Sequence, residues 1–430
     1  MFFRNVFSLL LITLLISAWL GGIIHFSESE TFPITLFQVI FPFAFVAWIF
    51  QKVANHDFEI KLTGVETWLV GFIGLIFLTL IYSQDHERGL VMAVRFLLLI
   101  LFILYLVNQI EHERQLTLSI WLISFTAIGL GVYSVIFSLL NPELAFLNFQ
   151  LAGKAVLGRA AVADSDPNFF ASMFFLPLAF SVAIVHSKEN LWIRLLGLAM
   201  SGLLLAALIS TYSRGAWVAA FISILLVAYL FRNPKPAILA LSLALLAILT
   251  IPDLQVLFIG VFSRLEGLFS GSLDSSASTR IILGKAGIEM FAESWTFGVG
   301  FGSFPTEFTS MGMSNIISGV SEPHNILYHI LAEMGLAGFA VFSILIYLIF
   351  RFAIQNIRLS ETEWDKILAI SLLGSFVAYF VLHQFIPRFL TNTTLMVTIA
   401  FIFVLNRVLV NRNSLSTEQV NEGVRIGSLT

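Results

Sequence analysis

The chain has 430 residues and a net charge of −3, and 58% of its residues are hydrophobic whereas only 11% are charged. Ordinary soluble domains carry roughly 25% charged residues, so this composition excludes a soluble globular protein. There is no cysteine, which excludes disulfide bonds, a thiolate nucleophile and a cysteine metal site. The composition therefore predicts an all-α polytopic membrane protein, and we expect no nucleic-acid partner.

About twelve apolar windows follow one another along the chain, and each has roughly the 20 residues that a tilted membrane-spanning helix needs. The windows are residues 6–24, 33–50, 65–82, 90–107, 116–139, 168–186, 192–211, 216–231, 236–252, 324–350, 367–386 and 393–410. We interpret the first window as a retained helix and not as a signal peptide, because it is long enough to cross the bilayer and lacks a small-x-small cleavage site.

The distribution of lysine and arginine predicts the orientation of these spans. An even number of spans puts both termini on one side, and most of the 23 basic residues fall on that side, which predicts that it is cytoplasmic. Arg95 falls inside the fourth window. The basic residues on the opposite face are Arg88, Lys154, Arg159, Arg214, Arg264, Arg280, Lys285 and Arg388. Membrane topology requires no arginine on that face, so we interpret these arginines as candidates for a binding site.

This topology divides the chain into four parts. Spans one to nine occupy residues 1–252, a large outside loop occupies 253–323, spans ten to twelve occupy 324–410, and a polar tail, in which we expect disorder, occupies 411–430. Residues 255–269 and 279–291 of the loop alternate apolar and polar residues at helical spacing, as helices lying on a membrane surface do. We therefore predict an ordered helical cap over the outer membrane face.

The shortest outside turn of the chain carries the sequence Ser213-Arg214-Gly215. A guanidinium group at this depth can bind a lipid-linked phosphate, because arginine pairs with phosphate oxygens bidentately and keeps its charge. The alternative is an interface anchor beside Trp217, whose stem lies in the apolar region while its charged head reaches water. Ionisable residues at membrane depth are functional candidates, so both interpretations stay open.

A second arginine, Arg280, opens an amphipathic helix, and a glycine run with the sequence GVGFGSF follows at residues 298–304. Glycine runs can turn backbone amides towards an anion. A dinucleotide-binding loop is excluded, because no βαβ unit surrounds the run. We therefore predict a tight turn that returns the loop to the membrane, and we retain Arg280 as a phosphate-binding candidate.

The large loop ends at Glu322-Pro323-His324-Asn325, where the tenth window begins. Proline suits the first position of a helix, which predicts that His324 and Asn325 lie in the first turn, beside free amides and the positive end of the helix dipole. An imidazole there can exchange a proton near neutral pH, and Tyr328 follows four residues later on the same face. The alternative is a histidine that only caps the helix.

Two other polar groups at the ends of spans have structural explanations. His329 and Glu333 lie four residues apart on one helix face, which predicts that they pair. Asp164, Asp166 and Asn168 precede the sixth window, where they form either a helix-start turn or a sugar-binding corner, and we favour the helix start. No other cluster of acids or histidines is evident, so we predict no metal ion and no cofactor.

The motifs occur in a set order along the chain. Ser-Arg-Gly stands at a span boundary, an arginine-led helix with a Gly-x-Gly-x-Gly turn follows, and Pro-His-Asn precedes a helix that reads Leu-Ala-Glu-Met-Gly-Leu-Ala-Gly at residues 331–338. This combination resembles the O-antigen ligase and polymerase superfamily. The resemblance covers residues 210–350 directly and the whole chain in topology, with the large loop between the ninth and tenth spans. The Asp166-Pro167-Asn168 corner is also similar to one in that superfamily.

The resemblance implies a metal-independent, inverting glycosyltransferase of the GT-C type, with cytoplasmic termini and an active site on the periplasmic face of a bacterial inner membrane. The donor implied is an undecaprenyl-diphosphate-linked glycan. Arg214 and Arg280 match the superfamily's arginines, which would stabilise the diphosphate leaving group, and His324 matches its loop histidine, which would activate the acceptor hydroxyl or assist at the phosphate. Further candidates for substrate binding are Arg88, Arg159, Asn168, Arg264, Asn325, Tyr328 and Arg388.

The acceptor and the functional class remain open at this point. We favour lipid A-core as the acceptor, as in a ligase, because the single long loop lies between spans nine and ten. The alternative is a polymerase that joins lipid-linked repeats of O-antigen or exopolysaccharide. A lower alternative is a transporter of anions or lipid-linked glycans, a class that usually shows repeated halves, broken helices or ionisable residues near the midplane. The sequence shows none of these convincingly.

Overall fold

The computed structural model describes residues 2–20, 34–140, 148–151, 154–158, 166–211, 213–235, 249–250, 275–313 and 322–427. Every apolar window except 236–252 forms a helix in these ranges, and that window lies outside the described residues apart from Leu249 and Thr250. The helices are α1 (Phe2–Leu20), α2 (Leu36–Ala54), α3 (Glu66–Leu80), α4 (His86–Gln109), α5 (Glu113–Leu140), α6 (Pro167–Ser172), α7 (Phe175–His186), α8 (Leu191–Ser210), α9 (Arg214–Leu230), α10 (Ser275–Glu293), α11 (Phe304–Ser310), α12 (Ile326–Leu359), α13 (Glu363–Leu382) and α14 (Thr393–Gly427), with a 3₁₀ turn at Phe389–Thr391.

Eight helical segments among the described residues are long and apolar enough to cross a membrane. They are Leu36–Ala54, His86–Gln109, Glu113–Ile136, Pro167–His186, Leu191–Ser210, Ile326–Leu359, Glu363–Leu382 and Thr393–Ser414, and three shorter apolar helices are Leu9–Leu20, Glu66–Leu80 and Arg214–Leu230. The prediction of a helical polytopic membrane protein is confirmed, whereas the number of spans and the GT-C likeness stay predictions.

The sequence explains where several of these helices begin. The Thr35 hydroxyl accepts a hydrogen bond from the Gln38 amide at 3.3 Å, and the Gln38 side chain accepts one from the Thr35 amide at 3.0 Å. Thr362 and Asp365 form the same reciprocal capping box at the start of α13. Each box satisfies two amides that a helix start would otherwise leave unpaired.

One strand pair departs from the all-α pattern. β1 (Asn148–Leu151) pairs antiparallel with β2 (Lys154–Gly158), with Asn148 opposite Gly158 and Leu151 opposite Lys154. The pair lies between α5 and α6, and the hydrophobic pattern of that segment does not predict it.

Helix α12 is the centre of the bundle around the large loop. It packs against α3, α10, α13 and α14, while α13 packs on its other sides against α7 and α9. The described part of the large loop contains α10 and α11, and α10 contains the predicted helix at 279–291. The predicted helix at 255–269 lies outside the described residues.

Two spans are broken, which contradicts the expectation of unbroken helices. α6 ends at Ser172 and α7 begins at Phe175, within a single span. In α12, Gly335 has φ 58° and ψ −159° and interrupts the helix. Backbone of the large loop fills this second break: Val299 N donates to Ala332 O at 2.9 Å, and Leu336 N donates to Trp295 O at 2.8 Å. The interruption is therefore satisfied by hydrogen bonds from another segment, as membrane-depth backbone requires.

The expected disorder of the tail is wrong for most of its length, because α14 continues to Gly427. Residues 413–427 contain no proline, so nothing in them forbids a helix that has already begun. The start of the tail is also attached to the bundle, since Arg412 Nη1 donates to Glu113 at 3.1 Å and to Asp365 at 3.2 Å.

Candidate functional site

Two of the predicted site residues, Arg280 and His324, and the turn that carries a third, Arg214, meet at the loop that follows α13. Arg280 Nε donates a hydrogen bond to the Phe385 carbonyl at 3.1 Å. The His324 ring lies close enough to the Phe385 backbone for that backbone to raise the pKa of the ring. A Cβ built on Gly215 lies 3.2 Å from Phe385 Cβ, so the residue after Arg214 packs directly on the same side chain. Three segments that are distant in the sequence are thereby brought to one point.

The start of α9 positions Arg214. Ser213 is the N-cap, and its hydroxyl accepts a hydrogen bond from Ala216 N at 3.4 Å and donates one to Asn168 Oδ1 at 2.8 Å. Asn168 in turn donates from Nδ2 to Asp166 Oδ1 at 2.9 Å. Asp166 caps α6, so the predicted helix start is confirmed. The same hydrogen bonds place this corner beside Arg214, which is half-buried.

The start of α12 differs from the prediction. The helix begins at Ile326 with Asn325 as its N-cap, so Pro323 is not its first residue and His324 lies outside its first turn. Asn325 Oδ1 accepts hydrogen bonds from Leu327 N at 2.9 Å and Tyr328 N at 3.2 Å. The reason is that asparagine is among the strongest N-cap residues. His324 is consequently not needed to cap the helix.

Two neighbours predicted to bind substrate have packing roles in this arrangement. Asn325 uses its side-chain oxygen for the cap, and its Nδ2 donates to Gln384 O at 3.4 Å. The Tyr328 ring packs on α10, where a Cβ built on Gly284 lies 3.1 Å from its Cε2. Tyr328 thus fixes the helix that carries Arg280, and it shares no helix face with His324.

Burial and charge determine the ionisation of His324, which lies outside the membrane-spanning part of α12. Burial lowers its pKa below 6.5, and the positive charge of Arg280 lowers the pKa further. The carboxylates of Asp166 and Glu322 and the Phe385 carbonyl act in the opposite direction but do not cancel the decrease. The ring is therefore neutral at pH 7.

Glu322 connects this cluster to two other arginines. Its nearly buried carboxylate pairs with Arg88 Nη2 at 3.4 Å, accepts a hydrogen bond from Arg388 N at 3.0 Å and lies 3.9 Å from His329 Nδ1. The predicted substrate ligand Arg88 is thus an ion-pair partner of Glu322. Sequence reasoning missed Glu322, because its partners come from segments more than 60 residues away, apart from His329.

The predicted pair of His329 and Glu333 is confirmed, with His329 Nε2 3.0 Å from Glu333 Oε2. Glu333 also accepts hydrogen bonds from Gly302 N at 2.9 Å and Phe304 N at 3.0 Å. The glycine run therefore does turn its amides towards an anion, but that anion is a carboxylate of the protein itself.

The three glycines of this run allow a close approach of backbones. Gly298, Gly300 and Gly302 have φ values of 73°, 104° and 87°, which favour glycine. A Cβ on Gly298 would lie 2.4 Å from the Glu333 carbonyl carbon, and one on Gly300 would lie 2.6 Å from Ser83 Cα. The predicted tight turn is present, and it is wedged between α12 and the turn before α4.

We expect Gly298→Ala to destabilise the protein much more than Gly312→Ala. Both positions have nearly the same φ, 73° and 72°, but a Cβ on Gly312 has no neighbour within 4 Å. The conformational cost, about 1–2 kcal/mol, is therefore shared, whereas the clash adds roughly 1–3 kcal/mol at Gly298 alone. Thermal unfolding of both variants in detergent measures the difference. Equal melting temperatures would show that the backbone around Gly298 has room for a methyl group.

The remaining predicted residues lie elsewhere or outside the described part of the chain. Arg388 is exposed at the start of the 3₁₀ turn. Arg159, Arg264 and Asp164 lie outside the described residues. Within the described ranges, no three His, Asp or Glu side chains are grouped in a way that could hold a metal ion. The roles of all these residues stay predictions.

Residues 199–343 match the family model described as O-antigen ligase. The matched segment contains Arg214, Arg280, His324 and the glycine run, and the match confirms the resemblance to the O-antigen ligase and polymerase superfamily over this segment. A search of curated proteins finds no match to the chain. The family match supports a membrane-embedded enzyme of the O-antigen ligase or polymerase type that acts on lipid-linked glycans in bacteria.

Proposed function

We propose that the protein is a periplasmic-face glycosyltransferase of the bacterial inner membrane that moves a glycan from undecaprenyl diphosphate to lipid A-core. The observation that carries this proposal is the meeting of Arg280, His324 and the Arg214-Gly215 turn at Phe385. Arg280, His324 and Arg214 all lie in the segment that matches the family. A guanidinium group fixed beside a neutral imidazole, with a second arginine on the adjoining turn, suits the transfer of a sugar away from a phosphate.

The arginines act on the leaving group. When the bond between the sugar C1 and the phosphate oxygen breaks, its electron pair stays on the diphosphate, which gains negative charge. Arg214 and Arg280 stabilise this charge, and guanidinium groups in a partly dry site do so without a metal ion. The bond of Ser213 to Asn168 fixes the backbone next to Arg214, and the bond to the Phe385 carbonyl fixes the side chain of Arg280. Little reorganisation is therefore needed at the moment of reaction.

His324 acts on the acceptor as a general base. Its neutral ring takes the proton from the acceptor hydroxyl while that oxygen forms its bond to C1. The carboxylates of Asp166 and Glu322 then stabilise the imidazolium that results. The attack comes from the face opposite the departing diphosphate, so the configuration at C1 is inverted. A neutral ring at pH 7 favours this role over that of a cationic phosphate ligand.

We expect the pH profile of kcat/KM to reflect the low pKa of His324. Activity should rise with pH to a plateau, with a midpoint below 6.5, because only the neutral ring can accept a proton. Asp166→Asn removes a charge that raises this pKa while asparagine still caps α6, so the midpoint should shift to lower pH. Initial rates measured between about pH 5 and 8, the range in which histidine changes its charge, test both expectations. Activity that falls through this range would contradict the role of base.

The acceptor is tested with purified protein and a fluorescent lipid-linked repeat, with and without lipid A-core. Transfer to the core supports the ligase, and a ladder of lipid-linked products without core supports the polymerase. Absence of any product, with donor binding intact, would contradict both. Inversion is checked by NMR of the anomeric proton in the product.

A transporter remains the second candidate, because broken spans and the buried pair of His329 and Glu333 are features of that class. In this chain, however, loop backbone fills the break at Gly335, and loop amides bind Glu333. Both features are thereby used for structure. Movement of a labelled lipid-linked glycan across proteoliposomes, without glycan transfer, would favour the transporter.

A further inference from the structure

A cleft between α3, α4, α12 and α14 is lined by apolar side chains only. It leaves about 40 Å³ for the centres of water-sized molecules, and part of it is open to the surroundings. Its lining includes Phe72, Phe96, Phe342 and Phe389 around one end, where the Phe342 and Phe389 rings are 5.6 Å apart. Protein interiors seldom leave voids larger than a water molecule, and this cleft is larger than one water needs.

The aromatic end of the cleft lies beside two arginines. Arg388 directly precedes Phe389, and Arg95 directly precedes Phe96. The two guanidinium groups lie close enough to interact electrostatically. Arg388 has a left-handed backbone, with φ 71°, and its amide is held by Glu322 at 3.0 Å. Paired guanidinium groups near the end of a membrane span suit a phosphate group.

We propose that this cleft binds one hydrocarbon chain of an anionic membrane phospholipid, whose phosphate lies between Arg95 and Arg388. The cleft follows α4 from Phe96 to Ile103 and α12 from Phe342 to Ile349, which is about 10 Å along each helix. An apolar chain fits a dry apolar space of this shape, whereas a polar headgroup would find no hydrogen-bond partner in it. The charge at its mouth then selects an anionic head over a neutral one.

This lipid is distinct from the glycan donor. The Glu322 carboxylate accepts the hydrogen bond of Arg388 N and lies near His324, so a negative charge stands between Arg388 and the site at Phe385. A carboxylate in that position repels a phosphate that would bridge the two places. The proposal does not depend on the glycosyltransferase activity.

The test is native mass spectrometry of the delipidated full-length protein, titrated with phosphatidylglycerol or with phosphatidylcholine of the same acyl chains. We expect one phosphatidylglycerol to bind about tenfold more tightly than phosphatidylcholine. Arg388→Asn should abolish this preference, and asparagine tolerates the left-handed backbone, so folding is retained. Arg214→Gln should leave the binding unchanged. Equal binding of the two lipids, or full preference in Arg388→Asn, would overturn the proposal.

Two further measurements examine the cleft itself. Ile346→Trp fills the cleft and should weaken the binding of both lipids. Tyr347→Trp changes the adjacent exposed residue and should leave their binding unchanged. Ile346→Phe is the smaller substitution if the tryptophan variant does not fold. One-for-one displacement of phosphatidylglycerol by undecaprenyl diphosphate, or loss of binding in Arg214→Gln, would assign the cleft to the donor chain and overturn the separate site.

Discussion

His324→Ala is expected to abolish glycan transfer, with a loss in kcat of about 10²–10⁴-fold, while the protein still folds. The ring is the group at Phe385 that can take the proton of an acceptor hydroxyl at neutral pH. Because Asn325 caps α12, removal of the imidazole takes no hydrogen bond from the helix start. Initial rates with the lipid-linked donor and a thermal melt of the same sample separate the chemical effect from the structural one.

The matched control for this substitution is His112→Ala, which changes an exposed histidine between α4 and α5. His112→Ala should transfer glycan at the same rate as the unchanged protein. Full activity of His324→Ala would show that the histidine takes no part in the reaction. Catalysis would then rest on the charges of Arg214 and Arg280 alone. Loss of activity together with a large fall in melting temperature would instead show that the ring supports the fold.

Glu333→Ala is expected to lower the free energy of unfolding by about 3–5 kcal/mol, the usual cost of removing one partner from a buried ion pair. The substitution leaves His329 without its partner and removes the acceptor of Gly302 N and Phe304 N. Denaturation in detergent, followed by fluorescence, measures the loss. Glycan transfer should fall as well, since these bonds hold the glycine run against α12.

Glu289→Ala is the control for this loss, because Glu289 is exposed on α10, and we expect a change within about 0.5 kcal/mol. Glu333→Gln keeps the shape and one carbonyl acceptor but not the charge, so its stability should lie between those of the alanine variant and the unchanged protein. Indistinguishable unfolding of Glu333→Ala and Glu289→Ala would show that the buried pair adds nothing to the fold.

The helices and part of the site could be predicted from the sequence because their causes are local. A run of about 20 apolar residues specifies a span wherever it occurs. The i, i+4 spacing of His329 and Glu333 specifies their contact, since these positions always face one another on a helix. Asp166 and Pro167 likewise specify the start of α6.

The unpredicted features depend on partners that are distant in the chain. In the sequence, Glu322 is not distinguishable from an ordinary loop carboxylate. Its role becomes evident only from its contacts with Arg88 and Arg388 N. The break at Gly335 is stable only because residues 295–300 supply its hydrogen bonds, and no local pattern specifies that pairing. The start of α12 was misplaced for a different reason, since the capping strength of Asn325 outweighed the preference of Pro323 for a first helical position.

The contact between the glycine run and the turn before α4 has a consequence for synthesis. Ser83 and Ser303 join their hydroxyls at 2.8 Å across 220 positions of sequence, and Gln84 N donates to the same Ser303 oxygen at 2.9 Å. At about 5–20 residues per second, the ribosome needs roughly 10–40 s to make the second half of this contact. The first four helices must therefore wait in the bilayer before Ser303 can bond to Ser83 and Gln84. This end of the bundle is completed only after the large loop has been synthesised.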